Sequence, residues 1–206
     1  IDDDKNGFVD DVYGWNFLGE AYYEQLELTR LLGKGEDFPE KEDAQKDYDK
    51  RLAEARGEET LKYYLNYDFK GRTTGDDPDN FEQRFYGDNK VEHSREDESH
   101  GTHVAGIIAA ARNNNLGMKG VANNVEIMTL RVVPYGDEYD KDVALGIIYA
   151  ADNGADIINT SFGKGFSPHS DKVRDAIAYA ASKNVLIVNA AGNDNTTAYF
   201  VGLQWQ

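Results

Sequence analysis

The feature that most constrains this chain is the alternation that runs through residues 99–191. Val104, Ile107, Ile108 and Ala111 share one helical face. Val143, Ile147, Ile148 and Ala151 share a second, closed by Gly154. Val173, Ile177 and Ala180 share a third. Short continuous apolar runs at residues 125–133, 155–162 and 185–191 separate and follow these helices. Runs of that kind read as buried strands, and the helices between them as right-handed crossovers. The expected fold class is α/β: a parallel sheet with helices on both faces, three layers deep.

Charge divides the chain. Of 38 acidic and 22 basic residues (net −16), residues 1–98 hold 28 and 14, and residues 99–206 only 10 and 8. Residues 99–206 therefore read as the core-forming part. Residues 20–98 read as a charged, mainly helical insertion or solvated layer, and residues 1–19 as an acidic loop opening the α/β unit. Within the insertion, Leu26, Thr29, Arg30 and Leu31, then Ala44, Tyr48, Arg51, Leu52 and Ala55, predict two amphipathic helices. Residues 71–79 predict a loop.

The acidic balance argues against a nucleic-acid partner, which needs a basic footprint, and against an anionic membrane surface. With no cysteine, disulfide scaffolds, thiolate metal sites and cysteine nucleophiles are excluded. No apolar run approaches the roughly 18 residues of a membrane span. Ile1-Asp2-Asp3-Asp4-Lys5 shows neither a signal organisation nor an initiator Met, so the chain is expected to be an interior part of a longer one.

Three motifs carry chemistry. The first is His100-Gly101-Thr102-His103-Val104-Ala105-Gly106. A histidine in the first turn of a helix is fixed in place and can act as a general base near neutral pH, or merely cap the helix. His100 and His103 could instead share a metal, although the His-Glu-x-x-His spacing of zinc proteases is absent. The second is Asn159-Thr160-Ser161-Phe162-Gly163, at the end of a buried strand and able to pair with a peptide backbone. The third is Asn189-Ala190-Ala191-Gly192-Asn193, which presents an amide at the carboxyl edge of the sheet. Each has a plain structural reading when taken alone. His169, beside Pro168, reads as a helix-start residue.

Taken in order, these motifs resemble the subtilases, the subtilisin-like serine proteases. Gly117-x-x-Gly120-Val121-Ala122 and residues 2–17 add to the likeness, as does a long charged insertion before the histidine. The resemblance implies that His100 is the general base and that Asn193 donates to the tetrahedral oxyanion. It implies that Ser161, Phe162 and Gly163 line one side of the substrate site and Ala190, Ala191 and Gly192 another, with residues 133–136 as the opposite edge. It also implies a peptide or protein substrate and an extracellular or envelope location. The family's Asp-[Ser/Thr]-Gly and Gly-Thr-Ser-Met-Ala motifs are absent, so the triad's aspartate and serine are expected outside the chain, and these 206 residues alone are expected to be inactive. The other reading is a non-catalytic subtilase-fold module that binds peptides or calcium.

Calcium is the expected metal. Asp2-x-Asp4-x-Asn6-Gly7, followed by Asp10 or Asp11, has the alternating oxygen spacing of a calcium loop, with Tyr13 where an EF-hand has its glutamate. The alternative is an acidic solvated turn. A second candidate, implied by the resemblance, is residues 112–118, with Asn114 as the side-chain ligand. Oligomeric state is not readable from the sequence.

Overall fold

The computed structural model describes residues 2, 4–92 and 98–192. The elements run β1 (Gly14–Asn16), α1 (Glu27–Gly33), α2 (Lys41–Glu54), a single π-type turn (Thr60–Tyr64), α3 (His100–Ala109), β2 (Thr129–Arg131), α4 (Asp140–Asp152), β3 (Ile157–Thr160), α5 (Ser170–Ser182) and β4 (Leu186–Asn189). The class is α/β, and the strands are parallel. They form two separate pairs: β1 with β2, Gly14 opposite Thr129, and β3 with β4, Ile157 opposite Leu186.

The predicted helices form close to where their apolar spacing places them, but α3 stops short of Ala111, none of its residues is buried and Ile107 is exposed. Val143, Ala144, Ile147 and Ala151 of α4 pack against Val173, Ala176 and Ala180 of α5, and Ile158 and Ile187 of the β3–β4 pair join this core. The strands are shorter than the apolar runs. Val125 and Ile127 are exposed ahead of β2, outside its ladder. One face of the β3–β4 pair is covered among the described residues and the other is not. Side chains alternate along a strand, so Ile158 and Ile187 face α4 and α5 while Ile157, Leu186 and Val188 stand exposed on the other face.

A second core joins the front of the chain to α4. Trp15, Phe17, Tyr86, Val132, Leu145 and Tyr149 cluster together, and the Trp15 indole N–H donates to the Tyr86 carbonyl at 2.7 Å. Phe8 meets Trp15 and Tyr149 edge-on, both at 4.9 Å. β1, which builds this cluster, was not predicted: three residues are too few for a period to show. Gly14 makes the strand pairing possible. Its φ of +121° is closed to most side chains, and a Cβ there would lie 1.9 Å from the Thr129 carbonyl oxygen. Gly14→Ala is therefore expected to cost well over about 1 kcal/mol in a urea titration; an unchanged midpoint would contradict the pairing.

The inserted segment is helical where predicted, in α1 and α2, and has a small core of its own in Leu28, Ala44, Tyr48 and Leu65. It is more than a solvated layer, because its charges are buried against the first turn of α4. Arg72 donates to Asp142 at 2.8 and 2.9 Å and to Asp76 at 2.7 and 2.8 Å, with its guanidinium near the Tyr86 and Tyr139 rings. Lys141, fully buried, donates to Asp76 and to the Asp77 carbonyl. Arg30 pairs with Glu27 at 2.6 Å and Asp79 at 2.8 Å, and Asp79 also takes Lys34 and, at 2.8 Å, His169. Burial alone would raise the Asp79 and Asp76 carboxyls. Hydrogen bonds from His169, Arg30 and Lys34 pull Asp79 well below the usual range, and those from Arg72, Lys141 and Thr74 bring Asp76 down to about 2. These groups contribute stability above their unfolded values of about 3.9, lost as pH falls through the folded ones. His169 thus starts α5 and also clamps the insertion.

Candidate active site

His100 is the first residue of α3 and His103 lies on the same face one turn on; both are exposed. The helix is held at its far end by the backbone. The amides of Gly120, Val121 and Ala122 donate to the carbonyls of Ala110, Ile107 and Ile108 at 2.8 to 3.0 Å. A Cβ at Gly120 would come within 2.4 Å of the Ala110 nitrogen, which is why glycine stands there. At its near end, Glu98 pairs with Arg131 of β2, and Arg131 also donates to the carbonyls of Ala21 and Gly19. Sequence reading missed this tie. Its one signal was a lone cation inside an apolar strand run.

The two strand-end motifs meet. Parallel pairing sets Thr160 opposite Asn189, the Ala190 amide donates to the Thr160 carbonyl at 3.0 Å, and the Thr160 hydroxyl donates to the Asn189 side-chain oxygen at 2.7 Å. Ser161–Gly163 and Ala190–Gly192 therefore leave the carboxyl edge of one sheet side by side. Ser161 accepts from the Asn159 amide at 3.0 Å. Phe162 packs into both main cores, whereas Gly163, Ala190, Ala191 and Gly192 are exposed. Gly192 has φ +83°, the conformation that lets the chain turn away after the strand. Asn193 lies outside the described residues.

The segment 133–136 is flanked by the insertion. The Tyr135 amide donates to the Tyr22 carbonyl at 2.8 Å and the Glu24 amide to the Tyr135 carbonyl at 2.7 Å. Tyr22 stacks on Tyr135 at 4.8 Å, and Tyr23 stacks on Tyr63 at 4.0 Å.

In the acidic loop, Asp2 accepts from the Gly7 amide and Asp4 from the Asn6 amide, each at 3.1 Å. The Asn6 amide group donates to Asp11 at 2.9 Å and to Asn153 at 3.0 Å, so Asp11 rather than Asp10 faces Asn6. Asp10 is exposed, with φ +53°. One oxygen of Asp2, Oδ1, is buried without a partner. Asn114 is exposed and caps its own turn, accepting from the Leu116 amide at 3.1 Å. Among the described residues no group of three or more His, Asp or Glu side chains converges as a metal centre. No helix among them is long and apolar enough to cross a membrane.

Comparison with known proteins agrees with the motifs. The chain belongs to the subtilase family, whose model matches residues 39–204. It is 43% identical over 103 residues to the thermophilic serine proteinase of Bacillus sp. (strain AK1), a match covering 50% of this chain and 25% of that protein. It is 42% identical over 132 residues to the cell wall-associated protease of Bacillus subtilis (strain 168), covering 64% and 14%. It is 42% identical over 100 residues to thermitase of Thermoactinomyces vulgaris, covering 48% and 35%. The chain thus spans between 14% and 35% of the length of these relatives.

Proposed function

We propose that the protein containing this chain is a serine endopeptidase that cleaves polypeptides outside the cytoplasm, in the envelope or beyond it. His100 serves as the base that takes a proton from a serine and returns it to the leaving amine. The serine and the aspartate that orients His100 come from segments beyond these 206 residues. Asn193 donates to the oxyanion, and Ser161–Gly163 and Ala190–Gly192 flank the substrate backbone. The observation that carries the reading is the convergence of those two strand ends beside each other, from motifs about 30 residues apart, in a chain that also has the His-Gly-Thr-His helix. The location follows from the relatives, one of which is named a cell wall-associated protease.

The reading is tested by hydrolysis of a chromogenic peptide by the whole protein. Activity abolished by a serine-directed reagent is expected; activity abolished only by a metal chelator would overturn the serine mechanism. Replacing Asn193 by Ala is expected to lower kcat by about 10² to 10³, the effect known for the equivalent loss in subtilisin, a member of this family.

Calcium binding by the front loop is part of the proposal. The donor types suit a hard cation, although the described side chains do not converge on one point: Asp2 offers a buried carboxylate oxygen with no described partner, and Asp4, Asn6 and Asp10 bring further oxygens within eight residues of it. Asn114 would serve a second ion. Asn6 and Asp11 tie this loop to Asn153 and to Tyr149 of α4, so an ion held there would stiffen that attachment. Removing calcium by chelation is expected to lower the melting temperature of the whole protein, and restoring it to reverse the drop. No shift would leave the loop as a solvated acidic turn.

A further inference from the structure

The seam between the inserted segment and residues 135–139 contains two buried acids that the proposed reaction does not use. Glu24 is 1% exposed and Glu138 2% exposed. Glu24 Oε2 accepts from the Tyr139 hydroxyl at 3.0 Å, and its Oε1 has no partner. The charged groups around it are Arg72 and Glu27 of the insertion and Asp142 of α4, and Arg72 is already committed to Asp76 and Asp142. Glu138 Oε1 likewise has no partner. The charges facing it are Lys164, Asp137 and Asp140. Lys164 is shared: it donates to the Glu138 main-chain carbonyl at 2.6 Å, lies 3.1 Å from Asp140 and 4.0 Å from Glu27. Among the described residues, neither carboxyl therefore has a cation of its own. An ionised carboxylate sealed in with one oxygen undonated and no cation of its own is costly, whereas the neutral acid is tolerated.

These two acids sit where the backbone joins the insertion to the core. The Glu24 amide itself donates to Tyr135, and Asp137 accepts from the Glu27 amide at 2.8 Å. Gly136 lies between them with φ +126°, and a Cβ there would be 2.2 Å from the Glu24 carbonyl oxygen, so the two backbones touch. We propose that this seam is a proton-operated latch: closed while Glu24 and Glu138 are neutral, and opened, with loss of the Tyr22–Tyr135–Glu24 backbone pairing, when they ionise.

Burial pushes Glu24 up to about 7 and Glu138 up to about 8. With folded values above unfolded ones near 4.3, the closed seam binds more protons than the open one. Its stability is full below about pH 4.3 and falls as pH rises through 7 and 8. The latch stands whether or not the protein is a protease, although it borders residues 133–136, the edge that the family resemblance gives to substrate.

Hydrogen exchange of the whole protein, resolved by peptide and corrected for the intrinsic pH dependence, tests it. Protection at Glu24 and Tyr135 is expected to fall at least about tenfold between pH 6 and pH 9, while amides inside α5 change little. Replacing both acids, Glu24→Gln with Glu138→Gln, is expected to hold protection at pH 9 at its pH 6 level. A flat wild-type profile at the seam overturns the latch, and needs no variant that must fold. So does a double variant that responds to pH as the wild type does.

Discussion

Replacing His100 by alanine in the whole protein is expected to lower kcat on a peptide substrate by about 10⁶, the size known for loss of the same group in subtilisin, of this family. The fold should not notice. His100 is exposed at the first turn of α3, which is held by the amides of residues 120–122 and by the Glu98–Arg131 pair. Alanine suits a helix at least as well as histidine. The variant should therefore keep the wild-type circular dichroism spectrum and melting temperature while losing turnover. Its KM should change little, because the base acts on the serine and leaves ground-state contacts alone. A variant that retains wild-type kcat would remove His100 from the mechanism. A variant that melts far below wild type would mean that the residue's role is structural. His103→Ala, one turn along the same face, is the matched control and should retain activity.

The second large effect belongs to Arg72. Arg72→Ala should destabilise the domain by about 3–5 kcal/mol, because it strips a buried guanidinium from between Asp76 and Asp142, leaving Asp142 without the cation it faces and Asp76 with Lys141 alone. Tyr86 and Tyr139 also lose the guanidinium they face. By contrast, Lys46→Ala should cost no more than about 0.5 kcal/mol, since both side chains of the Lys46–Asp43 pair are more than two-thirds exposed. Urea unfolding followed by fluorescence separates the two cases. Equal, small losses at both positions would mean that the insertion is a loosely attached layer and that its buried ion pairs do not form. The comparison bears on function, because Asp142 lies in the first turn of α4, and α4 carries the core on which β3, β4 and their strand ends rest.

What the sequence made legible was whatever is local. The spacing of Val143, Ile147 and Ala151 lies within one helix, so α4 could be read without knowing its partner. The strand ends were readable because Gly163 and Gly192 punctuate apolar runs. What stayed hidden depends on pairing across distance. β1 is three residues whose partner lies 115 positions away, and its only mark is a glycine. Arg72 and Asp142 look like surface charges until the fold brings them together from 70 residues apart. Composition could not separate an insertion from a solvated layer over residues 20–98 for that reason: it counts charges but does not say which of them neutralise each other indoors. His100 was singled out in the opposite way: its motif alone marks it, and among the described residues its exposed place on α3 adds no further mark.

The central claim is that His100 activates a serine of the same polypeptide. Treatment of the whole protein with an organophosphorus fluoride, followed by intact mass and peptide mapping, reads it most directly. The account predicts one adduct per chain on a single serine downstream of residue 206, formed rapidly in the wild type and at a negligible rate in His100→Ala. An adduct on Ser161 or any other serine of these 206 residues, no adduct on the active wild type, or labelling of the alanine variant at the wild-type rate would contradict it.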